Sequence, residues 1–169
     1  LLEVPGYSKL LGVTDGGMMP NPDLEGKKAI VRNAVEMFHA LGYEEPLLSA
    51  LCAAENVSPK IIETVDAAAL KQAGNWPISL DLALDAESAK IKGYESPVTG
   101  KTDILVVPSM SAGNIMVKAL IEFAGAKMAG VVIGAKCPIA LNSRSASFEE
   151  KYNSLLVCAL MSGGKRADA

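Results

Sequence analysis

Four consecutive apolar residues, Ile104-Leu105-Val106-Val107, constrain this chain more than any other stretch. A short run without alternation predicts a strand buried on both faces, as in a parallel sheet covered by helices on each side. The surrounding pattern repeats the message. Lys9 to Thr14 reads as a strand closed by the turn Asp15-Gly16-Gly17, Pro46 to Ala53 as a second, Gly130 to Ile133 as another buried one, and Pro138 to Leu141 as a short one. Helical spacing fills the gaps. Ile30, Val31, Ala34, Val35, Phe38 and Leu41 set out a helix from Leu24, with Asn21-Pro22-Asp23 at its start and Gly42 at its close. Ser58-Pro59 reads as the cap of a helix through Ile61, Ile62, Val65, Ala68 and Ala69. Leu80 to Lys90 reads as helical, and Ser111 to Phe123 as a helix opened by Ser-Ala-Gly-Asn. Phe148, Tyr152, Leu155, Leu156 and Ala159 set out the last helix, and Gly163 to Ala169 a tail.

Strands alternating with helices at this spacing give the expected fold class, α/β with a largely parallel sheet and flanking helices. In such sheets ligands sit beyond the carboxyl ends of the strands. Three polar turns follow strand candidates, namely Asp15-Gly16-Gly17, Ser109 to Asn114 and Asn142 to Ser147. They are the expected rim of a site.

Composition narrows the chemistry. At 169 residues the chain can bury one domain, or two small ones sharing a cleft. A formal net charge of -3 argues against a nucleic-acid footprint, which would need a basic stripe. Cys52, Cys137 and Cys158 have no C-x-x-C spacing, and a reduced, cytoplasmic protein is expected. The single histidine, His39, falls in a helical pattern with no second histidine or nearby cysteine, so neither a zinc site nor a Ser-His-Asp triad is expected. No apolar run has the ~18 residues that span a bilayer, and no signal peptide is read, so no membrane role is expected. Gly16-Gly17 lacks the third glycine of a dinucleotide fingerprint, and there is no Walker A sequence. The chain opens Leu-Leu-Glu-Val-Pro without an initiator Met and reads as a piece of something longer.

The richest chemistry lies in Asn142-Ser143-Arg144-Ser145-Ala146-Ser147, ahead of an acidic helix start at Glu149-Glu150. A guanidinium beside several hydroxyls, next to a helix's unpaired N–H groups, makes an anion receptor. The same residues also suit plain N-capping.

Three segments together resemble one family. Val13-Thr14-Asp15-Gly16-Gly17-Met18-Met19-Pro20-Asn21-Pro22-Asp23-Leu24 is similar to an early turn of the phosphate acetyl/butyryltransferases. Asp103-Ile104-Leu105-Val106-Val107-Pro108 followed by Ala112-Gly113-Asn114 is similar to a second segment, and Gly134-Ala135-Lys136-Cys137-Pro138-Ile139 with Ser143-Arg144 to a third. The last is nearest the phosphate butyryltransferase branch. The resemblance implies an isocitrate/isopropylmalate dehydrogenase-like fold with a partial first domain: residues 1–22 a remnant of the N-terminal domain, 23–140 a central α/β domain, and 141–169 the Ser-Arg loop and a helix returning to the N-terminal domain. It implies a phosphotransacylase that exchanges acyl-CoA and phosphate for CoA and acyl phosphate, with a butyryl group favoured. It implies a homodimer with no metal and no cofactor, CoA being a substrate.

Roles follow the matched positions. Ser143 would stabilise the charge on the thioester oxygen, Arg144 would hold phosphate, and Glu150 would deprotonate the CoA thiol. Asn114, Gly113 and Asp15 would line the substrate cleft. Two departures stand against this: the family's N-terminal portion with its further arginines is missing, and the connection Lys71 to Pro77 is short. The alternative is a non-catalytic acyl-CoA-binding or regulatory domain, as in the domains fused to malic enzymes. An acyltransferase acting on acyl carrier protein and a metal-dependent decarboxylating dehydrogenase share the fold, but the latter needs clustered aspartates that are lacking around Asp81 and Asp85.

Overall fold

The computed structural model describes residues 1–70 and 75–163. The short connection at Lys71 to Pro77 and the tail after Gly163 fall, in residues 71–74 and 164–169, outside them. Along the chain run β1 (Leu2–Glu3), β2 (Leu10–Thr14), α1 (Leu24–Ala40), β3 (Leu48–Leu51), α2 (Ile62–Ala69) and β4 (Asn75–Ile78). Then come α3 (Leu80–Leu84), α4 (Ala86–Lys92), β5 (Ile104–Val106), α5 (Met110–Ala124), β6 (Lys127–Met128), β7 (Val131–Val132), β8 (Ile139–Ala140) and α6 (Phe148–Gly163).

The sheet order is β4-β3-β5-β2-β1-β6. β2, β3, β4 and β5 are parallel, while β1 runs antiparallel to β2 and β6. The largely parallel α/β sheet is thus as the apolar runs predict. Residues 1–22, set apart by the resemblance, carry two strands of this same sheet, and Leu2 and Leu11 are each 1% exposed within its core.

Strand alternation explains why Ile104 to Val107 is apolar throughout. Leu105 and Val107 pack with Leu11, Leu82, Ala83 and α5 on one face. Ile104 and Val106 pack with Leu48, Ala50, Ala67 and the Val31–Ala34–Phe38 stripe of α1 on the other. Burying each such side chain is worth about 1.5–3 kcal/mol. A Cβ at Gly12 would come within 2.8 Å of the buried Phe38 ring, so a larger residue there would displace that ring.

Local ends follow capping chemistry. Asp23 accepts from the Gly26 N–H at 2.8 Å to start α1, and Gly42 follows its end at φ +91°. Ser58-Pro59 does not cap α2. The buried Thr64 hydroxyl accepts the Ser58 N–H at 2.8 Å, which ties off a separate turn, and the helix begins at Ile62. The helix expected from Leu80 to Lys90 is two, because the Asp85 carboxylate accepts the N–H groups of Glu87 and Ser88 and starts a new one. Ser109 caps α5 through the Ala112 N–H at 3.3 Å, and the helix begins at Met110, one residue earlier than expected.

Two further expectations need correcting. The run Gly130 to Ile133 is not a buried sheet strand. Its central pair forms β7, which is half-buried and pairs with β8 in a separate antiparallel hairpin beside α6. The last helix exists as predicted but with its faces exchanged. Ser154 and Val157 are buried, while Phe148, Tyr152, Leu155 and Leu156 are exposed.

Candidate functional site

The chain leaves adjacent strands β2 and β5 in opposite directions. From β2 it passes through α1 to β3, and from β5 through α5 to β6, with α1 and α5 on opposite faces. That is a topological switch point, where a crevice opens at the carboxyl ends of the strands. The Val107 N–H donates to the Thr14 carbonyl at 2.8 Å and fixes the two strand ends side by side.

Two predicted turns meet in that crevice. A Cβ on Gly16 would lie 3.3 Å from the Gly113 carbonyl carbon, and one on Gly113 would lie 3.0 Å from the Gly16 Cα and 2.8 Å from Val107. Backbone therefore lies close to backbone: a side chain at Gly113 would force a shift, and one at Gly16 would crowd its neighbour. The Asn114 amide donates to the Gly16 carbonyl at 3.3 Å, across the same contact. Asp15 shapes its own loop: its carboxylate accepts the N–H groups of Gly17, Met18 and Met19 at 2.8, 2.9 and 3.0 Å. Gly113 and Asn114 belong to the first turns of α5, so the positive end of the helix dipole faces the crevice.

Ser143 and Arg144 sit beyond β8, and among the described residues no hydrogen bond or ion pair joins them to the Asp15–Asn114 pair. They are not the cap of α6. That role belongs to Ser147, whose hydroxyl accepts the Glu150 N–H at 3.1 Å while Glu150 Oε2 accepts the Ser147 N–H at 2.6 Å. This reciprocal pair is a capping box. It uses one carboxylate oxygen of Glu150 and leaves the other without a hydrogen bond among the described residues. Ser143 exchanges a hydroxyl contact of 3.0 Å with Ser145. Arg144 is exposed and, among the described residues, has no carboxylate partner.

The loop is held by a residue that sequence reasoning passed over. The hydroxyl of Ser154, fully buried, accepts from the Gly130 N–H at 2.9 Å and the Asn142 amide at 2.8 Å, and donates to the Glu150 carbonyl at 2.7 Å. One small side chain thus joins the β7–β8 hairpin, the foot of the Ser-Arg loop and α6. The available signal was a serine one turn after Glu150 inside an apolar stretch. Ser154→Ala removes all three bonds and strands a buried donor, at a cost of about 1–3 kcal/mol. Urea unfolding should show the midpoint falling with an unchanged slope.

A cavity of about 220 Å³ lies between α1, the second half of β2, the first residue of β5, and β7. Thr14 and Asp15 are among its walls, as is Asn33, another residue the sequence did not single out. Elsewhere on the rim, Lys92 Nζ bridges Glu55 at 3.1 Å and Asp81 at 2.9 Å. The Ser79 hydroxyl and then Lys92 hold the Asp81 carboxyl down at about 2. Burial pushes the Cys52 thiol up, away from nucleophilic use. Among the described residues no three His, Cys, Asp or Glu side chains group to hold a metal, and no helix is long and apolar enough to cross a membrane.

Comparison with known proteins bears on these arrangements. A family model described as phosphate acetyl/butaryl transferase matches residues 1–159. The chain is 40% identical over 177 residues to the phosphate acetyltransferase of Rhizobium meliloti, covering 99% of this chain and 56% of that protein. It is 42% identical over 171 residues to the probable phosphate butyryltransferase of Bacillus subtilis, covering 94% and 57%. Among solved structures, a branched-chain phosphotransacylase from Enterococcus faecalis superposes with a TM-score of 0.87 at 36% identity, over 95% of this chain and 60% of that one. The chain therefore spans less than two thirds of the length of these relatives.

Proposed function

This chain belongs to the phosphate acetyl/butaryl transferase family, and from that membership we propose that its Ser-Arg loop takes part in moving a short acyl group between CoA and phosphate. The observation that carries the proposal is Arg144, an exposed guanidinium with no acidic partner among the described residues, on a loop whose foot is tied down by Ser154. An arginine not already satisfied within the protein, beside a serine hydroxyl, is an open receptor for phosphate.

In the proposed reaction, phosphate held by Arg144 attacks the thioester carbonyl of acyl-CoA. An O–C bond forms between a phosphate oxygen and the carbonyl carbon, the Ser143 hydroxyl donates to the oxygen that gains charge, the C–S bond breaks, and the proton given up by the hydrogen phosphate passes to the leaving thiolate. In reverse, a carboxylate near the thiol generates the thiolate nucleophile. Glu150 Oε1 is the proposed base, since Oε2 is engaged by Ser147. Asn114, Gly113 and Asp15 shape the crevice that receives the substrates, and positioning of bound reactants can supply up to about 7–11 kcal/mol of barrier lowering. CoA serves as substrate, and a homodimer in the cytoplasm is part of the same proposal. So is the return of 141–169 toward an N-terminal portion of the kind that lengthens the relatives. The exposed stripe Phe148, Tyr152, Leu155, Leu156 and Leu160 supports that last point, because a solvated helix rarely carries so many large apolar groups on one side.

The butyryl branch rests on the B. subtilis likeness and the acetyl branch on the R. meliloti one. The test is phosphate-dependent release of free thiol from butyryl-CoA and acetyl-CoA, with Glu150→Gln alongside. Glutamine keeps the capping box, so a drop of about 100-fold without loss of helix would identify the carboxylate as a proton carrier. Acyl-CoA binding without release would favour a binding-only domain, a reading that the capping use of the Glu150 carboxylate also supports.

A further inference from the structure

The 220 Å³ cavity beside the switch point has a composition unlike the rest of the rim. Its floor is buried and apolar, built from Ile30, Ala34, Met37 and Phe38 of α1 and Ile104 of β5. Its more open lining combines the half-buried Thr14, Asp15 and Asn33 with the exposed Met18 and Met19. Its walls include no lysine or arginine, and the Asp15 carboxylate is taken up by three backbone N–H groups, so the lining offers no side-chain cation to phosphate or to the phosphorylated end of CoA. It is also smaller than the ~300–1,000 Å³ that drug-sized ligands fill. What suits it is a small apolar group attached to a polar one.

The cavity touches one part of the candidate site and stands a short stretch of chain from the other. Asp15 lines it, and the next residue, Gly16, makes the contact with Gly113 and Asn114. β7 lines one wall and pairs with β8, which ends at Ala140, shortly before Ser143. A thioester carbonyl lying between these clusters would have its acyl chain beside this opening.

We propose that the cavity seats the acyl chain of the thioester, with Ala34 and Met37 setting how many carbons it takes. This rests on the transfer reading for the identity of the substrate, and goes beyond it in naming the residues that choose the chain. Water occupies about 30 Å³ in the liquid, so the space is far larger than an acetyl methyl needs and suits a chain of about four carbons or more, branched or straight. Met37 is unbranched and adaptable, which fits a wall shaped to more than one chain.

The deciding experiment is calorimetric titration of the full chain with CoA, acetyl-CoA, butyryl-CoA and hexanoyl-CoA, repeated on Ala34→Leu and Met37→Ala, with thiol release measured in parallel. The unchanged protein should bind butyryl-CoA about tenfold more tightly than acetyl-CoA, as expected for two further buried methylenes. Ala34→Leu fills the floor and should erase that advantage, and Met37→Ala should extend it to hexanoyl-CoA. Because one variant enlarges a side chain and the other shortens one, a folding failure in either leaves the other to decide. No chain-length preference in the unchanged protein, or the same order in every folded variant, overturns the proposal. Release with an unmoved preference sinks the cavity assignment alone. A preference that moves with the variants while no thiol is released sinks the transfer reading and leaves the cavity assignment standing.

Discussion

Arg144→Ala should lower phosphate-dependent thiol release by about two to three orders of magnitude, the range found when a donor to developing charge is removed. The structure separates this from a folding effect. Arg144 is exposed and, among the described residues, has no ion-pair partner, so its loss should change stability by no more than about 0.5 kcal/mol. The apparent Michaelis constant for phosphate should rise together with the fall in turnover. Arg144→Lys should recover only part, because an ammonium restores charge without the planar fork. Steady-state rates over a phosphate series, beside a melting curve, check both halves. A variant that folds and still turns over normally would remove Arg144 from the mechanism.

Gly130→Ala should be the most damaging single-methyl change in the described chain, at about 3 kcal/mol. The added Cβ would collide with the Leu141 carbonyl oxygen, a backbone atom with no rotamer to escape through. The two residues are already joined, since the Leu141 N–H donates to the Gly130 carbonyl at 3.0 Å. Relief requires the hairpin to open, which also pulls the Gly130 N–H from Ser154. Overpacking of this kind costs about 1–3 kcal/mol, and the stranded buried donor adds to it. For a domain of this size that is a melting temperature lower by roughly 6–12 °C. Because Asn142 hangs from the same hydroxyl, thiol release should fall with it. Calorimetry and the release assay on one preparation test this, and a variant melting within 2 °C of the parent would refute the clash, given about 2–4 °C per kcal/mol.

How much of this was legible in the sequence depended on whether the signal was local. Ile104 to Val107 announced the central strand because burial on both faces leaves no other pattern. Asp15-Gly16-Gly17 and Ala112-Gly113-Asn114 were found as turns, yet their contact was not, since glycine marks close approach without naming the partner. The periodicity of the last helix gave its existence but reversed its faces. Ser154, the residue that matters most there, earns its burial through hydrogen bonds and not through hydropathy. Gly130 to Ile133 misled for a related reason: four apolar residues suit a hairpin flank against helices as well as a sheet interior. The cavity was invisible because its walls come from α1, β2, β5 and β7 at once.

The knot at Ser154 contains a hydroxyl, a carboxamide, a backbone N–H and a backbone carbonyl, and none of these titrates near neutrality. Ionic strength acts on separated charges, with a screening length of about 8 Å under physiological conditions, and leaves neutral buried bonds almost untouched. The foot of the Ser-Arg loop is therefore insulated from salt, while the guanidinium it carries is fully open to it. A rising salt concentration would loosen the hold on an anion without moving the scaffold beneath, which makes affinity and architecture independently adjustable in this part of the molecule.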